Sequence, residues 1–390
     1  MKLSKCFFTG VLMFSLAGCS LFGGEEDVVQ ISPSPTVNNQ FPIQQIWRNS
    51  TSGNTQIYSL LGPINYDNAI YVASRSGQVK ALDLSSGNTI WDINLSQSTL
   101  FSSKTALFSG GVSADDNYVY VGSERAVVYA LERNSGKVVW EKPVKGEVLA
   151  RPVSSEDKLI IHTANGVLQG LNRNTGDELW DVSFDVPALS LRGNSTPTIA
   201  HGAAIVGDDN GRVDAYFIKD GQLIWQQRIS QPTGSTEIAK LNDVDSTPVV
   251  EGNLVYAVGY NGNVAALDLS NGQVVWKKQI GSTHSFAVDS HQLFVVDQDD
   301  NIQAITKNGG AVDWTQSSLL HRQLTDPVVY QNYIVVGDFE GYLYWLNKDN
   351  GEIVAKTQVS SSGLISRPLV VDNKLIVQAK NGDIYAFIKN

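Results

Sequence analysis

From residue 56 to its end the chain alternates brief apolar runs with clusters of Gly, Asn, Asp and Ser. Ile70-Tyr71-Val72, Val119-Tyr120-Val121 and Leu254-Val255-Tyr256 are rich in β-branched and aromatic residues, which suit a pleated strand. Aligned on tryptophan, twelve-residue blocks repeat without gaps. They are KALDLSSGNTIW (80–91), YALERNSGKVVW (129–140), QGLNRNTGDELW (169–180), DAYFIKDGQLIW (214–225), AALDLSNGQVVW (265–276) and QAITKNGGAVDW (303–314). A seventh, YWLNKDNGEIVA (344–355), carries Ala355 where the others carry Trp. Successive blocks end 38 to 51 residues apart, the period of a propeller blade.

Each block reads as strand, turn, strand. Gly87, Gly136, Gly176, Gly221, Gly272, Gly310 and Gly351 stand four residues before the Trp position, where a tight turn calls for a positive φ. Two shorter strands precede each block. The first often opens at a proline: Pro63, Pro152, Pro197, Pro248, Pro327 and Pro368. Proline has no N–H to give and is tolerated at a strand start but not inside a ladder. A further glycine turn leads into the block, with Ala126 and Asp300 as departures. Four short strands per unit predict an all-β closed array.

The two ends predict how it closes. The last unit, from Ser366 to Phe387, stops after three strands, and an orphan strand with its own Trp, Ile43 to Arg48, precedes the first unit. Pairing the two gives eight complete sheets and leaves no free edge to template aggregation. The expected fold is an eight-bladed β-propeller over 43–390, with four antiparallel strands per blade. The repeats resemble those of the pyrroloquinoline-quinone enzymes, propellers with a Trp docking motif at this spacing. Trp47, Trp91, Trp140, Trp180, Trp225, Trp276 and Trp314 are expected to pack blade on blade. Trp345 lies off register on a third strand, lining either the channel or a seam between blades.

The first residues follow a different logic. Lys2 and Lys5 precede an apolar run from Phe7 to Ala17, too short to cross a bilayer. It reads as a secretory signal over residues 1–18. Leu16-Ala17-Gly18-Cys19 looks like a lipobox, which would make Cys19 the acylated N-terminus, and Ser20 after it favours the outer membrane by analogy with lipoproteins. Residues 19–42, with Gly23-Gly24 and Ser32-Pro33-Ser34-Pro35, read as a flexible tether.

Charge and cysteine then remove several chemistries. Without Lys2 and Lys5 the 29 basic residues become 27 against 39 acidic, a net charge of −12, which argues against nucleic acid. With Cys6 in the signal and Cys19 lipidated, the folded body has no thiol for a disulfide, a zinc site or a nucleophile. The five histidines have no ligand spacing, and no nucleophile elbow or phosphate loop is present. Asp115-Asp116-Asn117, Asp208-Asp209-Asn210-Gly211 and Asp299-Asp300-Asn301 fall between consecutive strands and read as solvated turns, not calcium loops. Neither a catalytic residue, a metal site nor a cofactor is expected. The enzyme alternative is a quinoprotein dehydrogenase, a class that is much longer and often carries a vicinal Cys pair.

Propeller topology brings blade-to-blade connections and the turns between second and third strands to one face. Val186 to Gly193 is such a connection, Gln231 to Asp245 is the next, and the turn Asp208 to Gly211 belongs to the blade between them. Leu189 and Leu191 alternate with polar residues beside Arg192, a pattern suited to a binding hot spot. A lipobox, an acidic eight-bladed propeller and the segments LSLRG and DVDSTPVV together resemble the BamB family, lipoproteins of the β-barrel assembly (Bam) complex. The resemblance covers the whole chain. It implies a non-catalytic scaffold on the periplasmic side of the outer membrane that binds the POTRA domains of BamA and assists nascent outer-membrane proteins. It also implies partner contacts at Leu189, Leu191, Arg192, Asp243 and Asp245, with Asp208 and Asp209 as secondary candidates. An envelope scaffold for another complex stays open as the other reading.

Overall fold

The structure, a computed structural model, describes residues 29–52, 61–99, 102–231 and 233–390. The expected signal sequence, Cys19 and the first part of the expected tether lie outside the described residues. Of residues 1–30 only Val29 and Gln30 are described, and the folded body comprises residues 31–390.

Among the described residues the strands form eight four-stranded antiparallel sheets and one small hairpin, Gln97–Thr99 with Ser102–Lys104. Blade 5 shows the plan: Val249–Glu251, Leu254–Val258, Asn263–Asp268 and Val274–Gln279 pair in sequence order from the axis outward. Blades 1 to 8 begin at residues 64, 108, 153, 198, 249, 287, 328 and 369. The six prolines stand immediately before the first strands of blades 1, 3, 4, 5, 7 and 8, so none interrupts a ladder. Blade 8 takes its fourth strand from the other end of the chain. Ile43–Ser50 pairs antiparallel with Asp383–Lys389, with Trp47 opposite Ala386. The expected eight-bladed propeller and its closure are thus both found.

The core lies between blades. Middle strands such as Ala203–Gly207 and Ala69–Ala73 are buried at every residue, because each blade is covered on both faces. This is why these strands read as continuous apolar runs, not as alternating ones. The outer strands are exposed at most positions and enter the core chiefly through tryptophan.

Each outer-strand tryptophan docks on the next blade. Trp91 Nε1 donates to Arg133 O (2.8 Å), Trp225 Nε1 to Leu269 O (2.8 Å) and Trp314 Nε1 to Lys348 O (2.9 Å). Trp47, Trp140, Trp180 and Trp276 do the same. The indole then lies on the turn glycine of that neighbouring blade. Gly272 has φ +72°, and a Cβ there would come within 2.6 Å of the Trp225 ring. Turn conformation and blade packing therefore both demand glycine at this site.

In seven blades the Trp of the outer strand faces a small residue across the ladder: Ala81, Ala130, Gly170, Ala215, Ala266, Ala304 and, for Trp47, Ala386. Blade 7 inverts the pair, with Trp345 on the third strand opposite Ala355 on the fourth. Trp345 is 2% exposed and packs with Phe41, Tyr385 and Phe387, so it fills the seam between blades 7 and 8 and not the channel.

The expected tether is shorter than its composition suggests. Arg322, buried among Asp338 and Glu340, donates from Nη1 to Ser32 O (2.7 Å). Ser34 Oγ meets Tyr344 Oη at 2.8 Å, Lys356 Nζ donates to Pro35 O (2.7 Å), and Gln40 N donates to Val354 O (2.9 Å). Phe41 packs against Tyr333 in a tilted pair with centroids 4.9 Å apart. From Ser32 onward the segment is strapped to blade 7 by specific polar contacts, which a Pro- and Ser-rich composition does not reveal.

Candidate partner-binding site

The connection from blade 3 to blade 4 is pinned at its far end. Ser195 Oγ donates to Ser246 O (2.9 Å), and His162 Nδ1 donates to Ser195 O (2.9 Å). Burial pushes the His162 imidazole down to about 4, so the ring is neutral here. Leu189 is 46% exposed and Val186 42%, whereas Leu191 is half-buried.

Leu191 owes its position to a carboxylate from the next connection. Its N–H donates to Asp243 Oδ1 (3.1 Å). Asp243 is 1% exposed, and its Oδ2 has no hydrogen-bond partner among the described residues. The resemblance implied that Asp243 contacts a partner. In the chain by itself it lies under the loop and holds Leu191 by this hydrogen bond.

Three more carboxylates gather there. Asp208 Oδ1 accepts from the N–H of Asn210 (2.9 Å) and of Arg212 (2.8 Å), closing the turn of blade 4. Val244 N donates to Asp208 O (3.0 Å), which ties the DVD segment to that turn. Burial and the charges of Asp243 and Asp208 push the Asp209 carboxyl up to about 7, against a hydrogen bond from Ser190. Asp245 rises well above the carboxylate range through burial and the charges of Asp243 and Asp209. A Cβ on Gly193 would collide with the Asp245 carboxylate, so the LSLRG backbone lies directly against it.

Asp208, Asp115 and Asp300 were expected as solvated turn residues. They are 2%, 8% and 6% exposed. Each turns inward to accept backbone N–H groups: Asn117 and Tyr118 for Asp115, Gln323 and Leu324 for Asp300. No group of three or more His, Cys, Asp or Glu able to hold a metal ion occurs among the described residues.

Arg192 points the other way, toward blade 2. Its guanidinium lies 3.1 Å from Glu124 Oε1 and 3.1 Å from Glu147 Oε2, with the side chain still 53% exposed. Burial raises the Glu124 carboxyl, but hydrogen bonds from Arg75 and Ser109 and the charges of Arg75 and Arg192 outweigh it and hold it near 2. Glu124, Glu147 and Arg75 carry no signal in the sequence because they lie on other blades and belong to no repeated motif. The structure brings Leu189, Leu191, Arg192, Asp209, Asp243 and Asp245 together: an exposed Leu189 and a half-buried Leu191 at the tip, a charge cluster on one flank, buried carboxylates beneath.

Comparison with known proteins shows the family. The family model for the outer membrane protein assembly factor BamB matches residues 75–316 and 302–389. The BamB proteins of Yersinia pestis and Escherichia coli K12 are 52% and 51% identical over 393 and 392 residues, covering 100% of both chains in each case. The crystal structure of BamB from Moraxella catarrhalis superposes with a TM-score of 0.79 at 26% identity, covering 89% of this chain and 100% of that one. A quinohemoprotein alcohol dehydrogenase from Comamonas testosteroni, at 14% identity and TM-score 0.69, shares the fold alone. The chain is a member of the BamB family of outer-membrane protein assembly factors.

Proposed function

We propose that this assembly factor is a scaffold held on the periplasmic face of the outer membrane by lipid on Cys19, and that it binds the POTRA domains of BamA. In this reading it assists folding and insertion of nascent outer-membrane proteins without chemistry of its own. The contact surface is the tip Leu189 to Arg192. Leu189 and Leu191 supply apolar area and Arg192 a charge at the rim, the composition of a small hot spot. One observation carries the reading: an exposed Leu189 and a half-buried Leu191 rest on carboxylates buried at some cost, Asp243 foremost, which fix the loop before any partner arrives. Desolvated carboxylates of this kind add little to stability and are retained where geometry matters.

Co-purification from solubilised membranes tests it. Leu191→Asp and Asp245→Lys should each abolish recovery of BamA while leaving the far-UV spectrum unchanged. Retention of BamA by both folded variants would show that this face is not the contact.

A further inference from the structure

Among the described residues, four of the eight seams between blades carry an ionic tie of one design. The residue after a blade's third strand accepts the tryptophan of the preceding blade at its carbonyl, and its side chain reaches back to that blade's first turn. Arg133 of blade 2 thus lies 2.7 Å from Asp67 of blade 1, and Arg173 of blade 3 lies 3.3 Å from Asp115 of blade 2. Lys348 of blade 7 lies 2.7 Å from Asp289 of blade 6, and Lys307 of blade 6 pairs with Glu251 of blade 5. The four cations are only 17–22% exposed, so solvent screens these pairs incompletely.

Blade 4 has no such tie on either side. Ile218 and Leu269 stand at the equivalent positions, accepting from Trp180 and Trp225, and neither carries a charge. Among the described residues no ion pair joins blade 4 to blade 3 or to blade 5. Apolar packing is thin as well. The cluster between blades 3 and 4 comprises six buried residues, Ile160, Leu168, Ala204, Val206, Tyr216 and Ile218, against fifteen between blades 1 and 2. Tyr216 stacks on Phe184 of blade 3 with centroids 5.7 Å apart, and Asp214, two residues before it, shares that face of the sheet. Asp214 is fully buried and accepts from Gln226 Nε2 (3.1 Å) and Tyr216 Oη (3.4 Å), while its Oδ1 has no hydrogen-bond partner among the described residues. On the other side the buried Ser230 Oγ is likewise unpartnered, set against blade 5 so closely that a Cβ on Gly259 would come within 2.4 Å of it. A buried polar atom without a partner weakens the seam that holds it.

We propose that blade 4 is the compliant blade of the ring, loosening from blades 3 and 5 as a unit while the tied seams stay shut. The connections that enter and leave it carry Leu189 to Arg192 and Asp243 to Asp245. They are bonded to each other and to the Asp208 turn of blade 4, so they move with the blade as one body. Among the described residues their ionic tie to the rest of the ring is Arg192, through Glu124 and Glu147. Loosening therefore lets this surface tilt without opening the closure at blade 8. The use of that tilt in docking rests on the partner surface proposed above, whereas the looseness itself does not.

Hydrogen–deuterium exchange of the full chain by itself tests the proposal, and its outcome is independent of whether BamA binds this face. The middle strands of blade 4, Ala203–Gly207 and Arg212–Phe217, should exchange roughly tenfold or more faster than Tyr118–Ser123 of blade 2 and Gln292–Val296 of blade 6, which are tied on both sides. Two variants supply what blade 4 lacks. His201→Asp with Leu269→Arg rebuilds on the seam of blades 4 and 5 the tie that Asp67 and Arg133 form between blades 1 and 2. Asp67 and His201 hold the same turn position, with φ of +53° and +49°. Asp214→Asn removes the buried charge from the seam of blades 3 and 4. Each variant should slow exchange in blade 4 several-fold and leave blades 2 and 6 unchanged. Equal exchange in blade 4 and in blades 2 and 6, or fast exchange in blade 4 that neither variant slows, overturns the proposal.

Discussion

Trp345 and Ala355 stand directly opposite each other in blade 7, the mirror of the Ala–Trp pairs in the other seven blades. The inversion follows from the ring closure. A Trp on the outer strand needs the third-to-fourth turn of the next blade to receive its N–H. Blade 8 has no such turn, because its fourth strand comes from the other end of the chain. Moving the indole to the third strand fills the same seam from the opposite side, and it leaves Trp345 Nε1 without a hydrogen-bond partner among the described residues.

Trp345→Ala should therefore cost ~3–5 kcal/mol as a core cavity, and Ala355→Trp ~1–3 kcal/mol as overpacking. The double substitution restores the large–small pair and should be more stable than Trp345→Ala alone, giving a favourable coupling of ~1 kcal/mol or more in urea unfolding. Simple additivity would mean that the two positions do not share one packing space.

Gly272 and Gly252 separate two reasons for glycine. Both have positive φ, +72° and +56°, but nothing lies within 4 Å of a Cβ at Gly252. Gly252→Ala should lose ~1–2 kcal/mol from backbone strain alone. Gly272→Ala carries the same strain plus the Trp225 clash and should lose ~1–3 kcal/mol more. Equal losses in urea titrations would show that the indole moves aside freely.

The carboxylates under the loop set a pH dependence. Asp209 rises from 3.8 to about 7 in the folded protein, mainly through burial. Between those values the native state binds more protons than the unfolded one, so this residue lowers stability as pH rises. Asp209→Asn should gain in Tm over the unsubstituted protein progressively from pH 4 to pH 7, and the gain should level off above. The comparison isolates Asp209 from His162, whose lowered value of about 4 makes stability fall as pH drops from its ordinary 6.5. A Tm difference that stays constant with pH would refute the raised value.

Asp243→Ala removes the acceptor for the Leu191 N–H while Ser195 and Ser246 keep the loop base in place. Amide exchange at Leu191 should accelerate by roughly fivefold or more, as expected for loss of one hydrogen bond. Recovery of BamA should fall with it. Unchanged exchange would mean that the loop holds its shape without the carboxylate.

Most of the fold was legible because each blade repeats its own constraints: a proline before the first strand, a glycine at the tight turn, a tryptophan at the outer edge. The eighth blade was legible as two incomplete ends that fit each other. What the sequence hid is what depends on distant neighbours. Ala355 and Trp345 read as two separate irregularities until the ladder set them opposite. The strap from Ser32 to Phe41 is composed like a linker, yet it is held by Arg322 and Lys356, some 290 and 320 residues away. At the candidate site, Leu189, Leu191 and Arg192 declared themselves by exposure and pattern. Asp243 did not, because a buried carboxylate and a surface carboxylate look alike in one dimension. Glu124, which receives both Arg75 and Arg192, was hidden for the same reason.

Closure of the ring by Ile43–Ser50 has a kinetic consequence. Asn390 Nδ2 donates to Gln44 Oε1 across 346 residues of sequence, so the strand Ile43–Ser50 is satisfied only once Asp383–Lys389 docks beside it. Until then the blades form an open arc with raw edges at both ends, a slow and aggregation-exposed species. Removing Asp383–Lys389 would thus take away the strand that joins Ile43–Ser50 to Lys374–Gln378 and leave the ring unable to shut.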